Sequence, residues 1–120
     1  DWRQLPAVIA GLDINLMPLE NSLFHWCKSE NKWTEAALVK VPSVMSRNCE
    51  MEYVVENGKD GWMCTTKEEW VNALEALVTD EKARKAMGEA AHQKVMEHYL
   101  TVNTGKDAME ELLCSESYTK

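Results

Sequence analysis

Three short, mostly apolar segments alternate with stretches of helical periodicity, and this alternation most restricts the possible folds. The segments cover residues 14–17, 43–46 and 62–64, and each is predicted to be a β-strand. Strands joined through helices pair in parallel, because a parallel pair needs a long crossover connection. The pattern therefore predicts an α/β fold with a parallel sheet that helices cover on both faces.

Capping residues indicate where the predicted helices begin. Thr66, with Glu69 three residues later, forms the capping-box pattern that opens a helix. Ser29 is the expected N-cap of another helix, whose apolar face carries Trp33 and Ala37. Helices are predicted over residues 5–10, 29–40, 66–80, 80–99 and 106–113, with a helical turn over 51–56 and a loop over 19–27.

Length and charge limit the classes of protein. The 120 residues correspond to a single domain, residues 1–120, with a helical tail over about 104–120. Twenty acidic against thirteen basic residues give a net charge of −7, which disfavours nucleic acid as a partner. No transmembrane segment or signal peptide is present, so a soluble, cytoplasmic protein is expected. Because the first residue is Asp1, we expect a piece of a longer chain.

The cysteines indicate no metal site. Their positions are 27, 49, 64 and 114, without a CxxC pair, and the three histidines lie apart from them. Four reduced thiols are therefore predicted.

Ligands of open parallel sheets bind beyond the carboxyl ends of the strands. The loops at that edge are residues 18–28, 46–50 and 64–66, so we expect any functional surface there.

Lys28, Lys32 and Glu35 are spaced i, i+4 and i+7, which places them on one helical face. Two cations near a helix N-terminus suit a phosphate or diphosphate, and Glu35 suits a ligand's hydroxyl groups. The alternative is a solvated surface with a Lys32–Glu35 ion pair. The spacing alone leaves both interpretations open.

The same edge carries an aromatic cluster of Phe24, His25 and Trp26. The cluster suits stacking on a base or sugar, or equally a plug at the end of the sheet. His25 would act as a general base only beside a carboxylate or hydroxyl partner.

Five motifs then occur in an order that a known family shows. They are LMPL at residues 16–19, NKWTEAA at 31–37, VPSV at 41–44, NGKDGW at 57–62 and DEKARKAMG at 80–88. This order resembles the donor-binding region of two-domain retaining glycosyltransferases of family 4, the glycosyl transferases group 1. The resemblance covers about residues 2–99.

The resemblance implies a GT-B fold, in which two Rossmann-like domains close over a nucleotide-sugar. The chain would be the later part of the C-terminal, donor-binding domain, and the acceptor-binding N-terminal domain would be its partner. By the same resemblance, Glu35 would bind the ribose, while Lys28, Ser29 and Lys32 would face the diphosphate. Phe24 and Cys27 are further candidates for donor contacts, and the catalytic residues stay unassigned.

The resemblance also implies the reaction. A hexosyl-type sugar would pass from a UDP-, GDP- or ADP-sugar to a glycan, lipid or other acceptor, in polysaccharide biosynthesis, without a cofactor or a metal. The full-length enzyme would be cytoplasmic, with peripheral membrane association as a further expectation. This chain alone is expected to be inactive.

Two positions depart from the family pattern. Cys27 stands where a sugar-contacting Glu is usual, so Glu20 or Glu30 is a candidate replacement. Lys40 stands where a Gly is usual before the second strand, and we expect the helix end to turn by another route.

Non-catalytic α/β modules are the alternative class. A response-regulator receiver needs a phosphorylatable Asp after its third strand, and residues 64–66 are Cys-Thr-Thr. A binding or scaffold module with an open sheet edge is the other alternative.

Overall fold

The computed structural model describes the backbone of residues 1–115 and the side chains of residues 1–106 and 108–111. A 3-10 helix, Trp2–Gln4, precedes the first α-helix. The elements follow as α1 Leu5–Ala10, β1 Asn15–Met17, α2 Leu23–Trp26, α3 Asn31–Leu38, β2 Ser43–Ser46, α4 Cys49–Val54, β3 Trp62–Cys64, α5 Lys67–Thr79, α6 Glu81–His98 and α7 Thr101–Ser115.

The sheet has three parallel strands in the order β1-β2-β3, which confirms the predicted α/β architecture. Strand β2 lies in the middle and is almost wholly buried, because it pairs on both sides and is covered on both faces. Its polar first residue is satisfied there, since Ser43 Oγ accepts a hydrogen bond of 2.9 Å from Asn15 Nδ2.

The two faces of the sheet carry separate apolar clusters, because successive strand residues point to opposite faces. On one face the register aligns Met17, Met45 and Met63 side by side. These methionines pack with α3, α4 and α6 side chains, including Trp33 and Val95. On the other face Val44 and Cys64 pack with Ala73, Leu77 and Met87 of α5 and α6. These three methionines therefore belong to the core.

Several helix boundaries match the prediction. Helix α1 has Pro6 in its first turn and Gly11 at its C-cap. Thr66 and Glu69 form the complete capping box of α5. Asp80 caps α6, since its carboxylate accepts from the backbone N–H groups of residues 82 and 83.

Other boundaries correct the prediction. The expected loop over residues 19–27 contains α2, and Ser29 does not cap α3, which begins after Glu30 without a side-chain cap. Helix α4 begins at Cys49, two residues early, because the Asn48 side chain accepts from the Met51 N–H at 2.8 Å. Helix α7 begins at Thr101 rather than 106, and residues 116–120 of the predicted tail lie outside the described residues.

The end of α3 also differs from expectation. Lys40 adopts the left-handed conformation, with φ of 62°, so the chain turns by the glycine-like route in spite of its side chain. The expectation of another route was wrong. An exposed ion pair of 2.9 Å between Lys40 Nζ and Glu89 accompanies this conformation.

Helix α6 approaches this turn closely. A Cβ placed on Gly88 would lie 2.1 Å from the Lys40 carbonyl oxygen, so only glycine fits between α6 and the end of α3. Because the obstacle is backbone, a side-chain rotation cannot relieve it.

We predict that Gly88→Ala lowers the free energy of unfolding by about 1–3 kcal/mol, the usual cost of overpacking. Gly105→Ala is the matched control, because nothing described lies within 4 Å of its added Cβ. This control should leave stability unchanged or raise it, since alanine is the better helix former. Urea unfolding measures both variants, and equal stabilities would contradict the close approach.

We also predict that Lys40→Gly is more stable than Lys40→Ala by about 1 kcal/mol, the cost of the left-handed conformation for a residue with a Cβ. Both variants lose the ion pair with Glu89, so their difference isolates the backbone. Thermal and urea unfolding of the pair would test this, and a more stable alanine variant would refute it.

Candidate functional site

An open cleft of about 320 Å³ lies at the carboxyl edge of the sheet. Its walls include Glu20, His25 and Trp26 from the first loop, Arg47 and Asn48 from the second, and Cys64 at the end of β3. The three loops that the sequence placed at this edge therefore converge, as predicted. A volume of this size is at the lower end of the range for ligand pockets, about 300–1,000 Å³.

Hydrogen bonds hold the first loop over the sheet. The Leu19 N–H donates to Ser46 Oγ at 2.8 Å, and the Ser46 hydroxyl donates back to the Leu19 carbonyl at 3.1 Å. Farther along, Trp26 Nε1 donates to Asn21 Oδ1 at 2.8 Å. The loop is therefore fixed to the end of β2, and the indole of Trp26 is held beside the cleft.

Only two of the three residues of the aromatic cluster line the cleft. Trp26, 46% exposed, and His25 line the cleft, whereas Phe24 does not and is 70% exposed. Phe24 therefore does not plug the end of the sheet. His25 Nδ1 lies 2.8 Å from Ser22 Oγ, so the hydroxyl partner that a general base would need is present.

The sequence interpretation missed Arg47 and Asn48. Arg47 Nη1 donates to Glu52 Oε1 at 3.0 Å, and both side chains line the cleft. Asn48 is only 7% exposed, and its Nδ2 has no hydrogen-bond partner among the described residues. Its preference for the N-cap position, just before acidic first-turn residues, is the signal that would have located it.

The end of β3 adds a thiol and a capping carboxylate. Burial raises the pKa of the Cys64 thiol, and the Glu69 carboxylate adds to that effect, so the thiol stays protonated at neutral pH. Hydrogen bonds from the Thr65 and Thr66 N–H groups lower the pKa of Glu69 itself.

The predicted donor-binding residues Lys28, Ser29, Lys32 and Glu35 are all exposed, and they lie outside the walls of the cleft. We call these four residues the lysine face. Lys32 and Glu35 lie on the first two turns of α3, whereas Lys28 and Ser29 precede the helix. The predicted placement of Lys28 on one helical face with Lys32 and Glu35 was therefore wrong, because α3 begins only at Asn31. The Lys28 Nζ lies 5.1 Å from the centre of the Phe24 ring.

The ion pairs of the described residues include neither lysine of this face nor Glu35. The Lys32–Glu35 surface pair of the alternative interpretation is therefore not formed.

Cys27, which departs from the family pattern, and its candidate replacements Glu20 and Glu30 differ in where they lie relative to the cleft. Cys27 is exposed and does not line the cleft. Glu20 lines the cleft, and Glu30 is the N-cap residue of α3. Of the two candidate replacements for the usual carboxylate, only Glu20 therefore belongs to the cleft.

Within the part of the chain that the structure describes, no group of three or more His, Cys, Asp or Glu residues is placed to hold a metal ion. No helix among these described residues is long and apolar enough to span a bilayer.

Residues 1–111 match the family described as "Glycosyl transferase-like". The chain therefore belongs to the glycosyl transferase-like family. No curated protein matches it.

A solved structure shares the fold. It is the C-terminal domain of a glycosyl transferase group 1 family protein, LpcC, from Francisella tularensis, with a TM-score of 0.63 and 18% sequence identity. The alignment covers 84% of this chain and 50% of that chain, so the present chain spans about half the length of the solved domain. The expected relation to the C-terminal domain of a GT-B enzyme is confirmed at the level of family and fold.

We predict that the hydrogen bonds accepted by the Glu69 carboxylate make the stability of the fold depend on pH. Because the folded state lowers the pKa of Glu69, its stabilising effect is present above the unfolded pKa and is lost as the pH falls through the folded pKa. The loss should begin below about pH 4.3, the ordinary pKa of glutamic acid.

Urea unfolding at several pH values, on the wild type and on Glu69→Gln, measures this effect. The glutamine variant keeps a capping oxygen but does not titrate, so it should lose less stability on acidification. An identical loss in both proteins would show that the cap does not carry the effect.

Proposed function

We propose that this domain binds the nucleotide-sugar donor of a retaining glycosyltransferase. The proposal depends above all on the lysine face, which has two exposed lysines without ion-pair partners among the described residues, one just before α3 and one in its first turn. The membership of residues 1–111 in the glycosyl transferase-like family supports the reaction class.

Each residue of the face has a proposed role. Lys28, Ser29 and Lys32 face the diphosphate, together with the free N–H groups of the first turn of α3. Glu35, one turn after Lys32, accepts hydrogen bonds from the ribose hydroxyls. Phe24, in contact with Lys28, and Cys27 border the same surface.

The chemistry of this face is electrostatic. Negative charge develops on the diphosphate as the bond to the sugar breaks, and fixed cations and N–H dipoles stabilise that charge. We propose that these groups serve the reaction without a metal or a cofactor. The acceptor, a glycan or lipid in polysaccharide biosynthesis, would bind a separate domain, so this chain alone would not transfer a hexosyl group. We place the complete enzyme in the cytoplasm or at its membrane surface.

A non-catalytic scaffold module is a second candidate, and one observation favours it. Strand β1 lies at an edge of the described sheet, where Leu16 is half exposed. Open edges promote pairing between chains. Sedimentation of the isolated chain would distinguish the candidates, since a scaffold should self-associate whereas a donor-binding domain should respond to nucleotides.

We predict that UDP, GDP or ADP shifts the backbone resonances of Lys28, Lys32 and Glu35, with one nucleotide preferred. Glu35→Ala should weaken binding of that nucleotide about tenfold or more, because hydrogen bonds to charged groups contribute about 1.5–3 kcal/mol. The measurement is an NMR titration of both proteins.

Glu75→Ala is the matched control, because Glu75 is an exposed glutamate on α5, away from the lysine face. The control should bind the nucleotide as the wild type does. Equal affinities of the Glu35 and Glu75 variants would contradict the assignment of Glu35, and no shift with any of the nucleotides would contradict donor binding by this chain.

A further inference from the structure

One cation of the lysine face lies over an aromatic ring. Lys28 follows Phe24 by four residues, and its Nζ lies 5.1 Å from the centre of the phenyl ring. A cation within about 6 Å of a ring centroid is attracted by the negative face of the ring. Because Lys28 precedes α3, that helix does not direct its side chain. The contact with Phe24 therefore orients the ammonium group before any ligand binds.

The phenyl ring is itself held by the turn that carries it. Phe24 and His25 pack in a T-shaped arrangement, with ring centroids 5.2 Å apart and ring planes at 77°. The imidazole is fixed in turn, since His25 Nδ1 lies 2.8 Å from Ser22 Oγ. The backbone N–H of Lys28 donates to the His25 carbonyl at 3.3 Å. The ring and the backbone of the lysine therefore belong to one hydrogen-bonded turn.

An aromatic ring orients a lysine without neutralising its charge. The ammonium groups of Lys40, Lys59 and Lys85 lie instead against carboxylates, which compensate them locally. The ion pairs of the described residues do not include Lys28. Its ammonium group therefore keeps its full charge for an anionic ligand. A lysine that is already oriented also loses less rotamer entropy when it binds an anion.

The same contact argues against a direct role of the ring in ligand binding. Phe24 is 70% exposed, so the ring is accessible, but the Lys28 ammonium already covers one of its faces. A base or sugar that stacked on that face would have to displace the cation. The charge that attracts a phosphate would then move away from its place over the ring.

We propose that Phe24 is a positioning residue of the lysine face, whose ring holds the Lys28 ammonium in place for the diphosphate of the donor. Phe24 acts through Lys28 and does not itself contact the base or the sugar. Its effect is therefore confined to ligands that carry phosphate groups. The identity of the ligand rests on the proposed function, whereas the contact between ring and ammonium rests on the geometry alone.

The test compares ring variants in NMR titrations with inorganic pyrophosphate, with UDP, GDP and ADP, and with the corresponding nucleosides. Phe24→Leu keeps an apolar side chain but removes the ring, and it should weaken binding of pyrophosphate and of the preferred nucleotide about two- to fivefold, the effect of an exposed cation–π contact. Nucleoside binding should not change. Phe24→Tyr keeps the ring and should bind as the wild type does. Tyr53→Leu, at an exposed aromatic residue of α4, is the control and should leave all affinities unchanged.

Two further measurements show whether the ring acts through the lysine. In a double-mutant cycle, Phe24→Leu should have no additional effect on pyrophosphate binding once Lys28→Gln has removed the cation. In the free protein, the ring should displace the resonances of the Lys28 ε-methylene protons. This displacement should be present in the wild type and in Phe24→Tyr, and it should be absent in Phe24→Leu.

The outcomes separate this role of Phe24 from the proposed function. Nucleotide binding at the lysine face that is equal in the wild type and Phe24→Leu would overturn the positioning role and leave donor binding intact. A loss that persists in the Lys28→Gln background, or that extends to the nucleosides, would indicate direct contact with the ligand and overturn it as well. Pyrophosphate binding that depends on both residues, without any gain from a nucleoside, would support the positioning role while the proposed function fails.

Discussion

The fully buried indole of Trp33 joins the parts of this domain that lie far apart in the sequence. Its N–H donates to the Asp60 carbonyl at 2.9 Å, and its ring packs edge-on against Tyr99. The Asp60 carboxylate in turn accepts from the Glu56 N–H and pairs with Lys94 of α6. A buried carboxylate is tolerated only when it is paired and hydrogen-bonded, so α3, the turn before β3 and α6 must assemble together.

That assembly positions the lysine face. With α3 fixed against α6, the start of α3 stands at the carboxyl edge of the sheet and carries Lys32 and Glu35 to the solvent. The loop before it is fixed separately, by the reciprocal hydrogen bonds between Leu19 and Ser46. The lysine face and the cleft therefore share one edge of the sheet but are held in place by different contacts. The first is cationic and open, and the second is slightly acidic and partly enclosed.

Much of the fold could be predicted because local signals and tertiary structure agree. The capping box of Thr66 and Glu69 and the cap at Asp80 need only neighbours along the chain to take their observed form. Lys40 shows the opposite case. Its left-handed conformation opposes the intrinsic preference of lysine and is maintained by the packing of Gly88 onto its carbonyl. Tertiary contacts determine the backbone conformation at such positions, and a sequence pattern does not show which contacts will form.

The sequence by itself determined the parallel α/β architecture, the edge at which function should be sought and the exposed cations of the lysine face. It could do so because hydrophobic periodicity and capping are short-range properties. Only the tertiary structure decided that Trp26 and Asn48 share a cleft while Phe24 lies outside it. Trp26 follows β1 and Asn48 follows β2, so their proximity depends on how these strands pair and how the first loop is bonded to the end of β2. Which side-chain donors are left unsatisfied also follows from that packing.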